Sequence, residues 1–200
     1  MTSQPHRNDA GQAFPIYITV VAGLLFLAFA YLAVGQAAAN RNGAQTAADA
    51  AALAAAQETR DQLAGEWAEN VGDPTSWDTI FDGAVTGLDD SCWRADQLAA
   101  ENEAHVDDCT MDGPLRYSVE VTSDEPVGDS IVPGTEDRYA QASAVAVIES
   151  NCTFELPEGG AEAGDVLPRL TCKERSWDLD LDDLPELPEP QELFDVHLAD

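Results

Sequence analysis

The sequence predicts an α+β protein: a single N-terminal transmembrane helix continuing into an alanine-rich helix, then a small disulfide-bearing α+β ectodomain and an acidic tail. Three observations carry this expectation. No charged side chain occurs between Asp9 and Arg41, and Phe14 to Gly35 is dominated by large apolar residues. The stretch Gln36 to Trp67 is rich in Ala, Gln, Glu and Arg, and no proline occurs from Ile16 to Gly72. Beyond it the apolar spacing turns first helical and then alternating, with Cys92, Cys109, Cys152 and Cys172 all on the far side of the apolar run.

The span is the first element. At the helical rise, Phe14 to Gly35 covers roughly 33 Å, enough for a hydrocarbon core of about 30 Å. Pro15 suits a first helical turn, where its missing N–H costs nothing. Tyr17 and Tyr31 sit near the two ends, as interfacial aromatics do. Ala37, Ala38 and Ala39 would offer a signal-peptidase site, but the apolar run is longer than the roughly 7 to 15 residues of a signal peptide's core.

The alanine-rich helix follows without a break, because its residues are strong helix formers. Asn40, Asn42 and Gly43 mark the expected weak point, a bend just above the membrane. Alanine has little side chain to bury, so this helix is expected to gain little from its own domain. It suits close approach by other helices, where small residues let backbones meet. The candidate packing residues are Ala47, Ala48, Asp49, Ala51, Ala52, Leu53, Ala54 and Ala55; the alternative is a solvated stalk.

Two hundred residues allow one modest domain beside the anchor. Asp73 and Pro74 form a helix start, and Trp77, Ile80, Phe81, Ala84, Val85 and Leu88 recur at helical spacing. Ser91 to Val106 is expected as a second helix. Leu115, Tyr117, Val119 and Val121 alternate with polar residues, a half-buried strand, and Tyr139 to Glu149 is the next. Ser123 to Arg138, rich in Pro, Gly, Asp and Glu, is the loop between them. Four cysteines and no C-x-x-C pair imply disulfides in an oxidising compartment. Three pairings are open, of which Cys92–Cys109 with Cys152–Cys172 closes the shortest loops. From Ser176 onward there are nine acidic residues and no Lys or Arg, so the tail is expected to be extended or disordered. Leu193 to Leu198 within it could dock as a strand on a partner.

The net charge is −29, and Arg7 and Asp9 are the only charged residues before residue 40. Such a surface repels phosphate backbones, which excludes nucleic acid as a partner class, and favours cations and basic surfaces. Motifs for a nucleophile elbow, a zinc-protease helix, a P-loop or a dinucleotide fold are missing. No enzyme activity, cofactor or small-molecule substrate is expected, and His105 and His197 read as surface histidines. Asp178, Asp180, Asp182, Glu186 and Glu189 take calcium-loop spacing. Asp183 stands where that loop needs glycine, and Pro185 and Pro188 deny its flanking helix, so no metal site is assigned.

Gly11-Gln12-Ala13-Phe14 opening an apolar span, followed by the run Gln45-Thr46-Ala47-Ala48-Asp49-Ala50-Ala51-Ala52-Leu53-Ala54-Ala55-Ala56, resembles the N-terminal module of TadE/TadG-like proteins of Tad (Flp) pilus systems. The resemblance covers roughly residues 10 to 58. It implies a structural or assembly component, minor-pilin-like, of a Tad-type pilus or secretion system, whose N-terminal helix meets other pilus or platform proteins. Gly11 is the candidate processing site. Flp-type pilins resemble a pattern with Glu five residues after that glycine, and Ile16 stands there, so an unprocessed anchor is expected. The resulting organisation is a cytoplasmic N-terminus (1–13), the span (14–35), a helical stalk (36–72), the ectodomain (73–172) and the acidic tail (173–200), in a single-pass membrane protein with its C-terminus outside. The alternative from another class is a membrane-anchored binding module, an adhesin or sensor ectodomain using acidic residues for cation-dependent capture.

Overall fold

The computed structural model describes residues 13–126, 137–156, 167–173, 175–179 and 187–199. Its spine is α1, Ala13–Glu69, helical throughout, Asn40 and Gly43 included. Its 57 residues span roughly 85 Å. After a single 3-10 turn at Pro74–Ser76 come α2 (Trp77–Phe81) and α3 (Cys92–Glu101). The strands β1 (Ala104–Met111), β2 (Arg116–Pro126) and β3 (Tyr139–Ser150) then run as an antiparallel meander. The short strands β4 (Cys152–Phe154), β5 (Leu170–Cys172) and β6 (Arg175–Trp177) make a second sheet, and α4 (Pro190–Leu193) leads into β7 (Phe194–Leu198).

The main sheet has the order β1-β2-β3-β7, every pair antiparallel. Period-two alternation gives it one dry face and one wet one. Tyr117, Val119 and Val121 of β2 and Ala144, Ala146 and Ile148 of β3 are buried, whereas Arg116, Glu120, Gln141, Ser143 and Glu149 are exposed. The C-terminal half of α1 lies across the dry face, with α3 beside it.

This packing corrects the expectation of a helix with little to gain from its own domain. Ala47, Ala48, Ala51, Ala52, Ala54 and Ala55 are all buried in the head, and Leu53 packs at the margin of the same core. The physical reason is close approach. Small residues on α1 face small residues on β3, so backbone atoms contribute the contact that side chains cannot. Farther along, Leu63 and Trp67 fill the wider gap toward Trp77, Phe81, Phe154 and Phe194. Those rings form a chain with centroid separations of 5.1 to 6.0 Å. The alanine-rich segment is thus the backbone of the head rather than a free stalk.

Three further expectations change. The helix begun at Pro74 ends at Phe81, because Gly83 takes φ +67°, a left-handed conformation that stops it; a Cβ there would also lie 2.6 Å from Leu115 Cδ2. Val85 and Leu88 still reach the core, from irregular chain. The helix expected to run to Val106 ends at Glu101, and Val106 and Cys109 belong to β1. The register shifts between Val106 and Asp108, inserting one residue. The bulge lets Val106 and Cys109, three apart, face the same side, where Cys109 meets Cys92 of α3.

The tail is the last correction. Residues 187–199 are ordered into the head: Leu193 and Phe194 are buried, and β7 pairs with β3 from Ala146↔Leu198 to Ser150↔Phe194. The segment expected to dock on a partner docks on its own sheet. Two apolar anchors and five ladder pairs outweigh the acidic composition there. The expected loop lies partly outside the described residues, as do Asp180, Asp182 and Glu186 of the calcium spacing. Disulfides join Cys92 to Cys109 and Cys152 to Cys172. The second bridges directly opposed residues of β4 and β5, and Cys152 Sγ lies 3.6 Å and 3.7 Å from the carbonyl oxygens of Glu192 and Leu193, against the approach to β7.

Candidate functional site

The chemistry of this molecule concentrates on α1, which has two unlike halves. From Ile16 to Val34 its large apolar side chains are bare: Tyr17, Phe26 and Val34 are each 70% exposed and Tyr31 83%. The helix is long and apolar enough to cross a membrane, and none of its most apolar stretch is buried by the rest of the chain. Exposed apolar surface on this scale marks a membrane or protein contact. From Ala44 onward the same helix is sealed onto the head.

The junction between the halves is short and polar. Asn40 Nδ2 donates to the carbonyls of Glu125 and Pro126 at the end of β2, at 3.3 and 3.4 Å. The head therefore grips α1 within about a turn and a half of Gly35. One turn on, Gln45 Nε2 donates to Asp49 Oδ1 at 2.8 Å and to the carbonyl of Ser143 at 3.3 Å. Asp49 is half-buried and lines a cleft of about 270 Å³ with Gln45, Arg116, Ser143, Ala144, Val145, Leu198 and Ala199. The cleft opens where β7 stops alongside β3.

The candidate residues thus fall in two places. The alanines at 47, 48, 51, 52, 54 and 55 lie together inside the head, and Asp49 faces the cleft. Gly11 lies outside the described residues. His105 and His197 are exposed; His105 Nδ1 is 2.9 Å from Asp124, on the edge of the sheet away from the cleft. Among the described residues no group of three His, Cys, Asp or Glu side chains is placed to hold a metal. Asn40, Gln45 and Arg116 were not singled out from the sequence. Asn40 carried the one available signal, an amide at the boundary between an apolar run and an alanine run.

The decisive comparison concerns this helix. Residues 11–58 match the Tad family model, described as "Putative Flp pilus-assembly TadE/G-like". The match covers under a third of the chain and takes in the bare half of α1, the junction and the first turns sealed onto the head. No curated protein and no solved structure matches the chain. The TadE/G-like module associates the chain with Tad pili, gives it an apolar helix suited to membrane anchoring, and accounts for Asp49 as part of its motif. The module ends at residue 58, one residue before Thr59, whose buried hydroxyl lies 2.7 Å from Ser91 Oγ and 2.8 Å from the Tyr117 hydroxyl. The sheet, both disulfides and β7 lie beyond it.

Proposed function

We propose that this chain is a minor-pilin-like structural or assembly component of a Tad-type pilus or secretion system. It is held by one transmembrane helix, with its N-terminus cytoplasmic and its head outside. The carrying observation is the division of α1 into a bare apolar half and a half fused to a folded head, within a TadE/G-like module. A continuous helix transmits position between membrane and head, as an assembly subunit requires. The two disulfides support an oxidising location for the head. Ile16 at the glutamate position supports retention of residues 1–11 in the mature protein.

Deletion and complementation in the source cells test the reading. Loss of the chain should abolish or shorten surface pili, and the full chain should restore them. A chain with residues 16–35 replaced by a generic leucine-rich span should insert in the membrane yet fail to restore pili. Normal piliation in the deletion strain would reject the assembly role.

A further inference from the structure

The cleft beside Asp49 has a feature that the assembly reading does not use: half of one strand edge is open. β3 runs from Tyr139 to Ser150, but β7 pairs only with Ala146 to Ser150, and Ala199 N–H reaches the Val145 carbonyl. In an antiparallel strand, alternate residues aim their N–H and C=O toward opposite edges. The Val145 carbonyl faces β7, so Gln141 and Ser143 face that same edge. The Ala140 N–H instead goes to Ser123 Oγ on the β2 side, as this parity requires. Among the described residues, the partner on the open edge is Gln45, whose Nε2 donates to the Ser143 carbonyl. The slot is bounded by α1 on one side and by the end of β7 above.

We infer that this slot accepts an extended, basic segment of another protein as an added strand, continuing the line of β7 antiparallel to β3. Backbone bonds to Gln141 and Ser143 would set its register. Its inward side chains would meet Ala142 and Ala144, leaving room only for small or medium apolar residues. A Lys or Arg would find the half-buried Asp49 carboxylate, whose bond among the described residues comes from the neutral Gln45 amide. Charge selects against a second copy as occupant, because two chains of −29 repel one another and each attracts a cationic strand. The slot lies within three turns of Asn40, so its occupant meets the head close to the membrane end of the sheet. This inference rests on the head and stands independently of the pilus assignment.

The test uses the full chain, disulfides intact, in detergent micelles, with an end-blocked hexapeptide of alternating Val and Lys as probe. The matched Val and Glu peptide, and a Val and Lys peptide N-methylated at alternate residues, are the controls. The Val and Lys peptide should bind and slow amide exchange at Gln141 and Ser143. Asp49→Asn should weaken binding several-fold, and Ser143→Pro, which removes an outward N–H without touching the β2 ladder, about tenfold or more. The N-methylated peptide, which cannot donate to the strand, should lose binding on the unaltered protein, a result that does not depend on the proline variant folding. Equal binding of the N-methylated peptide, equal binding of the Glu peptide, or protection elsewhere would overturn the proposal. Slow exchange of these amides without peptide, whether from this chain or from self-association at higher concentration, would do the same.

Discussion

At the scale of single residues, the head is tied to its helix by a buried hydroxyl triad. Thr59 is 1% exposed, and its Oγ1 lies 2.7 Å from Ser91 Oγ and 2.8 Å from Tyr117 Oη, joining α1, the start of α3 and β2. An alanine-lined contact has few shape constraints of its own, so directional bonds are what fix the rotation of α1 on the sheet. Thr59→Val keeps the volume and strands the Tyr117 hydroxyl, at a cost of about 1–3 kcal/mol. Chemical unfolding in micelles, followed by tryptophan fluorescence, measures it. The double variant with Tyr117→Phe should lose less than the sum of the single losses, since one interaction is removed twice. Additive losses would mean that the three hydroxyls act separately. Nothing in the sequence marks this triad, because a threonine inside a helix and a tyrosine inside a strand are each unremarkable until the fold brings them together.

At the scale of elements, what was legible depended on local signals. The span, the unbroken helix, β2 and β3 announce themselves by composition and period, and the structure has each of them. The dry face of the alanine helix was not legible, because periodicity reports where apolar residues sit only when polar ones alternate with them. From Ala47 to Ala56 nearly every position is alanine, and the pattern carries no phase. β7 was hidden by its neighbours: five residues with two apolar anchors sit in a segment whose acids and prolines dominate any window. The bulge in β1 was hidden because one inserted residue resets the alternation that identifies a strand. The cleft was the least legible feature, since its residues come from four elements distant in sequence. Burial of the alanines now gives a specific expectation. Ala51→Leu, at a fully buried position, should overpack the helix–sheet contact and destabilise the head by about 1–3 kcal/mol. Ala50→Leu, only half-buried, should cost well under half of that. Thermal unfolding of the two variants side by side decides the matter. Equal tolerance would return the alanine face to the role of a surface for other helices.

At the scale of the whole molecule, the anchor and the head are one rigid body if α1 is continuous and gripped as early as Asn40. A helix then fixes both the height and the azimuth of the head, because each added residue moves it by about 1.5 Å and turns it by about 100°. Insertions after Gly35 separate these quantities. One alanine turns the head by about 100°, two by about 200°, and four by about 40° while lifting it about 6 Å. Alanine preserves the helix, so insertion and folding should be unaffected in all three. If neighbouring subunits meet a particular side of the head, piliation should fall most with two alanines, less with one and least with four. A loss that grows steadily from one to four would show that height alone matters. Equal function in all three would identify the junction as a flexible tether and remove the mechanical argument for an assembly subunit. The measurement is piliation of complemented deletion cells at matched protein abundance, with both disulfides verified by gel mobility before and after reduction.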